Sequence, residues 1–333
     1  WPHEEPEACR NLRVSPIYHR LEQNGACFGT KFGWERANWF APSGIEPRDI
    51  YSFDRQNWFE HTAREHHACR NNAGLFDQSS FAKFRMFGKD AEAALQTICA
   101  GNISQDLNKV IYTPLLNDHG GIEADLTITC TGDDEYMIVT GTGSATRDFS
   151  FLQRRIPNGA DARLFDMTSA YGCLSLMGPK AREVLGPVAD GDISNDGFPL
   201  GTAKELIISG APVFALRVAF VGELGWELYV PSEYMVHVYD ALKESGTTYG
   251  LVDCGYRAID SLRLEKARRL WGHEIGPDYT PLEAGLGFAV DMKKAAFSGR
   301  AALEGQRANG VSRKLVSFTI DNPDVVIYGK ETI

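Results

Sequence analysis

Apolar and polar positions follow the same pattern twice, ninety residues apart. Phe81-Ala-Lys-Phe-Arg-Met-Phe-Gly88 reads as a strand and leads into a helix carrying Ala91 and Leu95. Tyr171-Gly-Cys-Leu-Ser-Leu-Met-Gly178 leads in the same way into Ala181 and Leu185. A strand, a glycine and a helix with apolar residues four apart form a packing pattern, the glycine allowing close approach. The register persists through Asn102-Ile103-Ser104 and Asp192-Ile193-Ser194. A return at constant offset predicts one duplicated unit.

Each unit continues in step. The first carries strands over 110–116, 125–130 and 135–140, then a helix over 145–154. The second carries strands 204–209 and 213–220 around the turn Gly210-Ala-Pro212, and then strand 226–230. A helix capped by Ser232 follows, with Met235, Val238, Tyr239 and Leu242 at i, i+3, i+4 and i+7. The order is close to β-α-β-β-α-β, the ferredoxin-like arrangement, used twice. The expected class is α+β, two antiparallel sheets with helices on one face of each. The units are placed at 75–160 and 165–250, within a body of 61–305 closed by a helical block beginning at Cys254.

The flanks read differently. Residues 1–60 are rich in aromatics, proline and charge without clean periodicity, as in Lys31-Phe-Gly-Trp-Glu-Arg36. They form either an ordered arm closing the body's own core or a contact with a missing domain. Residues 61–75 predict a helix ended by Gly74; His61, His66 and His67 lie on it as a solvated face, and no metal site is expected. A strand over Lys314–Ile320 and another over Val325–Tyr328 are too few for an independent sheet. Residues 306–333 are therefore expected to be the start of a truncated β-barrel module.

Composition narrows the function. The chain has 333 residues and a formal net charge of −10, which argues against a general nucleic-acid surface. No apolar run approaches the roughly 18 residues of a membrane helix. Seven scattered cysteines without a C-x-x-C favour reduced thiols over a disulfide framework or a zinc site. The start is acidic and lacks an initiator methionine, so an excised or processed piece is expected.

Two carboxylates stand at rigid places. Asp125 lies where the Gly120-Gly121 reversal enters a strand, and Glu227 lies at a strand start just after Gly222 and Gly225. Each reads either as a site acid or as an ordinary solvated strand-end residue. One carboxylate can accept two adjacent N–H donors as a charge-assisted pair.

Several motifs agree in order. Phe76-Asp77-Gln-Ser, Tyr112-Thr-Pro-Leu-Leu-Asn, Gly120–Asp125, Gly222-Glu-Leu-Gly-Trp-Glu227, Gly255-Tyr-Arg257-Ala-Ile-Asp-Ser-Leu-Arg-Leu-Glu265 and Thr280-Pro-Leu-Glu283-Ala-Gly-Leu follow one another. In this the chain resembles the glycine-cleavage T-protein (aminomethyltransferase) family from about residue 60 to 320. Together with the arm, Phe220-Val-Gly-Glu-Leu-Gly-Trp-Glu-Leu and Gly255-Tyr-Arg-Ala-Ile-Asp-Ser-Leu resemble the C-terminal folate half of the sarcosine and dimethylglycine dehydrogenase family. Departures from the T-protein pattern are Gly141 for an asparagine, Phe220 for a tyrosine and Ala124-Asp125 for a doubled aspartate. They favour the dehydrogenase branch.

The resemblance implies a fold, a ligand and partners. The ligand is tetrahydrofolate, receiving one carbon from a methylamine-derived iminium. Asp125 is implied as the catalytic acid, and Tyr112, Glu227, Arg257 and Glu283 as folate-binding residues. Arg257 reads alternatively as an i,i+3 partner of Asp260, Tyr112 as core, and Glu283 as a turn residue. Lys266, Arg268, Arg269, Lys293 and Lys294 would serve folate's anionic tail or be solvated face. FAD belongs to an absent N-terminal half, a flavin-dependent oxidoreductase domain fused upstream or separate. Gly141-Thr-Gly143 lacks the third glycine of a dinucleotide loop. A non-catalytic regulatory relative and a stand-alone aminomethyltransferase are the alternatives. No membrane or nucleic-acid partner is expected; the compartment would be the mitochondrial matrix or the bacterial cytoplasm.

Overall fold

The computed structural model describes residues 4–322 together with 324, 325 and 327. The arm contributes α1 (Tyr18–Gln23), β1 (Ala26–Lys31) and β2 (Trp34–Phe40). The two strands form an antiparallel hairpin. Ile17, Leu21, Ala26 and Ala37 enter the core of the second unit, so this arm is ordered by its own apolar face. Next come α2 (Phe59–Asn71) and β3 (Ala73–Asp77). The helix expected to run to Gly74 stops earlier. Ala73–Phe76 are all buried and pair on both sides as a strand. Gly74 sits within it because a Cβ there would meet Cys254 Sγ at 2.8 Å.

The first unit is β4 (Ala82–Phe87), α3 (Ala91–Ile98), β5 (Val110–Leu116), β6 (Ile122–Gly132), β7 (Glu135–Thr140), α4 (Ala145–Arg155) and β8 (Arg163–Asp166). Its sheet has the order β5-β6-β7-β4-β8, antiparallel throughout. Alternate residues Phe84, Met86, Leu126, Ile128 and Ile138 pack on Leu95 and Ile98 of α3 and Leu152 of α4.

The second unit is β9 (Tyr171–Met177), α5 (Ala181–Leu185), β10 (Ala189–Asp190), β11 (Ala203–Ile208), β12 (Ala211–Leu216), β13 (Gly225–Pro231), α6 (Met235–Gly246) and β14 (Leu251–Asp253). Its sheet order is β10-β11-β12-β13-β9-β3-β14. Where β8 lies directly beside β4 in the first unit, β3 is inserted between β9 and β14 in the second. Between its two helices the first unit has three strands, β5 to β7, and the second has four, β10 to β13, where β-α-β-β-α-β has two. In the second unit β12 ends at Leu216, short of the expected Phe220, and Pro212 lies within it.

The repeat is visible in the backbone. Gly88 and Gly178 both have positive φ, +126° and +134°, and both lie against backbone that a Cβ would strike, at 2.1 and 2.4 Å. Both helices begin three residues later. Ser104 N–H donates to Asn102 Oδ1 at 3.1 Å and Ser194 N–H to Asp192 Oδ1 at 2.8 Å, the same Asx turn in both copies.

A closing block holds α7 (Tyr256–Glu265) and α8 (Arg300–Asn309). Ala258 and Leu262 of α7 pack on Cys69, Phe76 and Val221. Ile275, Leu286, Phe297 and Leu303 pack on Leu116 and Ile122 of the first unit. The expected strand at 314–320 makes no ladder among the described residues, and its backbone link is Leu315 N–H to Glu283 O at 2.9 Å. A strand exists only as part of a pair, and none is offered here. Two residues of its expected neighbour over Val325–Tyr328, 326 and 328, lie outside the described residues. Among the described residues no helix is long and apolar enough to cross a membrane.

Candidate functional site

Strand parity decides what lies between the two sheets. Ala124, Leu126 and Ile128 face the helices of the first unit, so Asp125, Thr127 and Thr129 face away from them. The register pairs Thr127 with Val139 and Thr129 with Met137. Met137 and Val139 pack against Cys173, Leu216 and Tyr229 of the second unit. On β13, Trp226, Leu228 and Val230 face that unit's helices, leaving Glu227 and Tyr229 on the opposite face. Asp125 and Glu227 thus issue from different sheets into one inter-sheet layer.

The turn before Asp125 is fixed by contact. Gly121 lies so close to Pro277 O that a Cβ would stand 1.8 Å from it. Tyr112 Oη donates to Asp125 Oδ2 at 3.1 Å. Burial raises the Asp125 carboxyl to about 6; the Tyr112 hydrogen bond lowers it, the Asp148 carboxylate raises it and the Arg147 guanidinium lowers it. Asp125 as a whole is half-buried, and it is burial of its carboxyl that drives the rise. Arg147 is held at Asp148 by bonds of 3.0 and 2.9 Å and lies 3.7 Å over the Trp271 ring. Burial raises the Tyr112 hydroxyl and the Asp125 charge adds to that, while Arg269 and Arg268 oppose it. Three arginines thus act electrostatically on the pair, Arg147 on Asp125 and Arg268 and Arg269 on Tyr112.

At the other acid, Tyr229 Oη donates to Glu227 Oε2 at 2.7 Å. Burial raises Glu227, and this bond opposes the rise. Ser175, beside Glu227 across the ladder, bonds to Gln78. Lys83 also faces this layer; burial lowers it to about 8, and its Nζ donates to Ser79 O at 2.7 Å. Tyr256 Oη lies 3.3 Å from Ser80 Oγ, and the Arg36 guanidinium lies 3.7 Å over the Tyr256 ring.

Other expected residues are engaged elsewhere. Arg257 does not pair with Asp260, which takes Arg263 instead. Its Nη2 meets Asp49 Oδ2 at 2.5 Å and its guanidinium lies 3.5 Å over Trp58, both in the arm; its buried Nε has no hydrogen-bond partner among the described residues. The cation acting on Asp125 is Arg147. Glu283 forms a capping box: its Oε2 accepts from Thr280 N–H at 2.9 Å, and its own N–H donates to Thr280 Oγ1 at 3.2 Å. Burial would raise Glu283, but the Thr280 bonds and Arg313, at 3.1 Å, hold it below its usual value. No hydrogen bond or ion pair joins it to Tyr112 or Asp125 among the described residues. Lys294 is not a surface cation. It is buried, lowered by burial to about 8, and donates to Cys99 O at 2.6 Å and Gly101 O at 2.8 Å. His66 bonds Ser261 at 2.9 Å and lies 3.3 Å from Glu265.

Arg147, Tyr229, Lys83 and Tyr256 were missed by sequence reasoning. Only Tyr229 carried a signal, two residues from Glu227 on one strand face. A cavity of about 360 Å³ opens beside Tyr112, whose ring lies 6.2 Å from that of Phe288 at 26°. Asn102, Val110, Phe288 and Asp291 line it; Asp125 and Glu227 do not.

The family described as the GCVT N-terminal domain matches residues 17–294. The chain is 40% identical to 4-methylaminobutanoate oxidase (formaldehyde-forming) of Paenarthrobacter nicotinovorans, covering 100% of this chain and 40% of that protein. It is 36% identical to mitochondrial sarcosine dehydrogenase of Homo sapiens, again over 100% of this chain and 40% of the relative. Among solved structures, glycine cleavage system aminomethyltransferase T from Bartonella henselae matches with a TM-score of 0.76 at 27% identity, over 91% of this chain and 77% of that one. The chain therefore spans about 40% of the length of these two curated relatives.

Proposed function

We propose, because the chain belongs to the GCVT N-terminal domain family, that it is the tetrahydrofolate-binding part of a sarcosine- or dimethylglycine-dehydrogenase-type enzyme. In this reading it passes the carbon of an iminium to tetrahydrofolate, giving 5,10-methylenetetrahydrofolate. The iminium comes from a flavin-dependent oxidoreductase domain, fused or separate. The C=N bond of the iminium is lost, two C–N bonds to folate form, and the two folate N–H protons leave on the amine. Without a folate acceptor, water would release formaldehyde instead, the product written into the name of one relative.

The observation that carries this reading is the shared layer into which Asp125 and Glu227 project. Asp125, ionising near neutrality, accepts a proton from a reacting N–H and returns one to the leaving amine. Its carboxylate also favours the cationic iminium beside it. Tyr112 orients that carboxylate. Glu227 accepts N–H groups from the pterin edge. Arg147, Arg268 and Arg269 supply positive potential for folate's carboxylates, and Arg257 adds to it from the arm. Glu283 supports the site by closing the Thr280 turn.

Calorimetric titration of the folded, reduced chain with tetrahydrofolate tests the reading. A saturable one-to-one isotherm, weakened at least about tenfold by Glu227→Gln, is expected. No binding by the unsubstituted chain overturns it.

A further inference from the structure

The geometry points to Tyr229 as the positioning residue that fixes Glu227 for its ligand, by tying down one carboxylate oxygen and leaving the other as the receiving edge. This rests on Glu227 being a folate contact. Tyr229 and Glu227 are two apart on β13, so they stand on one face at a spacing set by the strand. Tyr229 is 1% exposed. Its neighbours are Cys173 and Phe214 across the ladders, and Met137 and Val139 of the facing sheet share its cluster. The ring is therefore clamped on several sides, and its hydroxyl reaches Glu227 Oε2 at 2.7 Å.

Glu227 Oε1 has no donor among the described residues, and the residue as a whole is half-buried. A carboxylate free at both oxygens would rotate about its last bond and would lose that freedom on binding. Here one oxygen is already held, so the ligand meets an oriented acceptor. The same bond opposes burial and favours the charged form. A neutral Glu227 would present a hydroxyl to a pterin N–H and lose the charge-assisted contact. The facing groups that tune it are Tyr229 on its own strand and Ser175 and Cys173 on β9, with Lys83 reaching Cys173 from the first sheet.

The test compares the unsubstituted chain, Tyr229→Phe, Glu227→Gln and the double variant by titration with tetrahydrofolate between pH 5 and 8. Tyr229→Phe is expected to weaken binding about tenfold. Its affinity should also fall off at a higher pH than that of the unsubstituted chain, because Glu227 protonates sooner. The double variant should bind no worse than Glu227→Gln alone. Wild-type affinity and pH profile in Tyr229→Phe, with Glu227→Gln still weakened, would sink the positioning role and leave the folate reading standing. Unchanged affinity in Glu227→Gln would remove the folate reading itself. Should Tyr229→Phe fail to fold, NMR of carboxyl-labelled glutamate in the unsubstituted chain decides. A glutamate titrating above the usual range that drops when tetrahydrofolate binds supports the proposal, and its absence overturns it.

Discussion

Tyr112 reaches diagonally across the β5–β6 ladder to place its hydroxyl 3.1 Å from Asp125 Oδ2, although Tyr112 itself is registered with Thr127. The bond joins a tyrosine raised by burial to a carboxyl that ionises near neutrality. Two consequences follow for the chemistry. Transfer should increase with pH through about 6 as Asp125 ionises, and Tyr112→Phe should move that inflection upward, because the lost bond favoured the charged form. Asp125→Asn should lower transfer by about 10²–10⁴-fold and leave tetrahydrofolate affinity within a few-fold. The measurement is 5,10-methylenetetrahydrofolate formed per amine oxidised, with the flavin-dependent partner present.

The same acid weakens the fold. Its value rises from 3.8 to about 6 on folding. Below pH 3.8 both states carry the proton. As pH rises from there to about 6 the unfolded chain releases it first, so this contribution to stability is lost and stays lost above. Asp125→Asn should therefore stabilise the protein at pH 7.5 by on the order of 1–3 kcal/mol, and by little near pH 3.5. Urea unfolding at the two pH values measures this; an equal gain at both would contradict the assignment.

Gly88→Ala and Gly178→Ala should behave alike, though they lie in different units. Each forces a Cβ onto backbone at positive φ, and each should cost at least about 2 kcal/mol by urea unfolding. A large cost at one site and none at the other would break the equivalence.

Lys294→Met should destabilise by about 1–3 kcal/mol for each carbonyl left without its donor, at Cys99 and Gly101. The salt dependence of tetrahydrofolate binding should not change, because this amine is buried away from solvent. Arg269→Met should reduce that dependence. Titrations at 50 and 300 mM salt, about 2.4-fold apart in Debye length, separate the two.

The duplicated strand, glycine and helix were legible because parity and backbone freedom are local properties. The placement of Asp125 and Glu227 on strands beside glycines was legible for the same reason. The Thr280-Pro-Leu-Glu283 capping box was also written locally. Arg257 was not readable: its partner Asp49 lies 208 residues away, and the competing i,i+3 partner Asp260 was taken by Arg263. Arg147 escaped because only folding brings α4 beside β6. The missing ladder at 314–320 has the same origin, since alternation announces a willing strand and says nothing about a neighbour.

The insertion of β3 carries a consequence for assembly. A ribbon synthesised ahead of the entire first half becomes an inner rib of the second half's sheet. During translation it must idle until Tyr171–Met177 emerges. The twin halves descend from one pattern, yet they are stitched together like interlocked links, and severing the chain between them would leave the later half with a gap that only the earlier piece can fill.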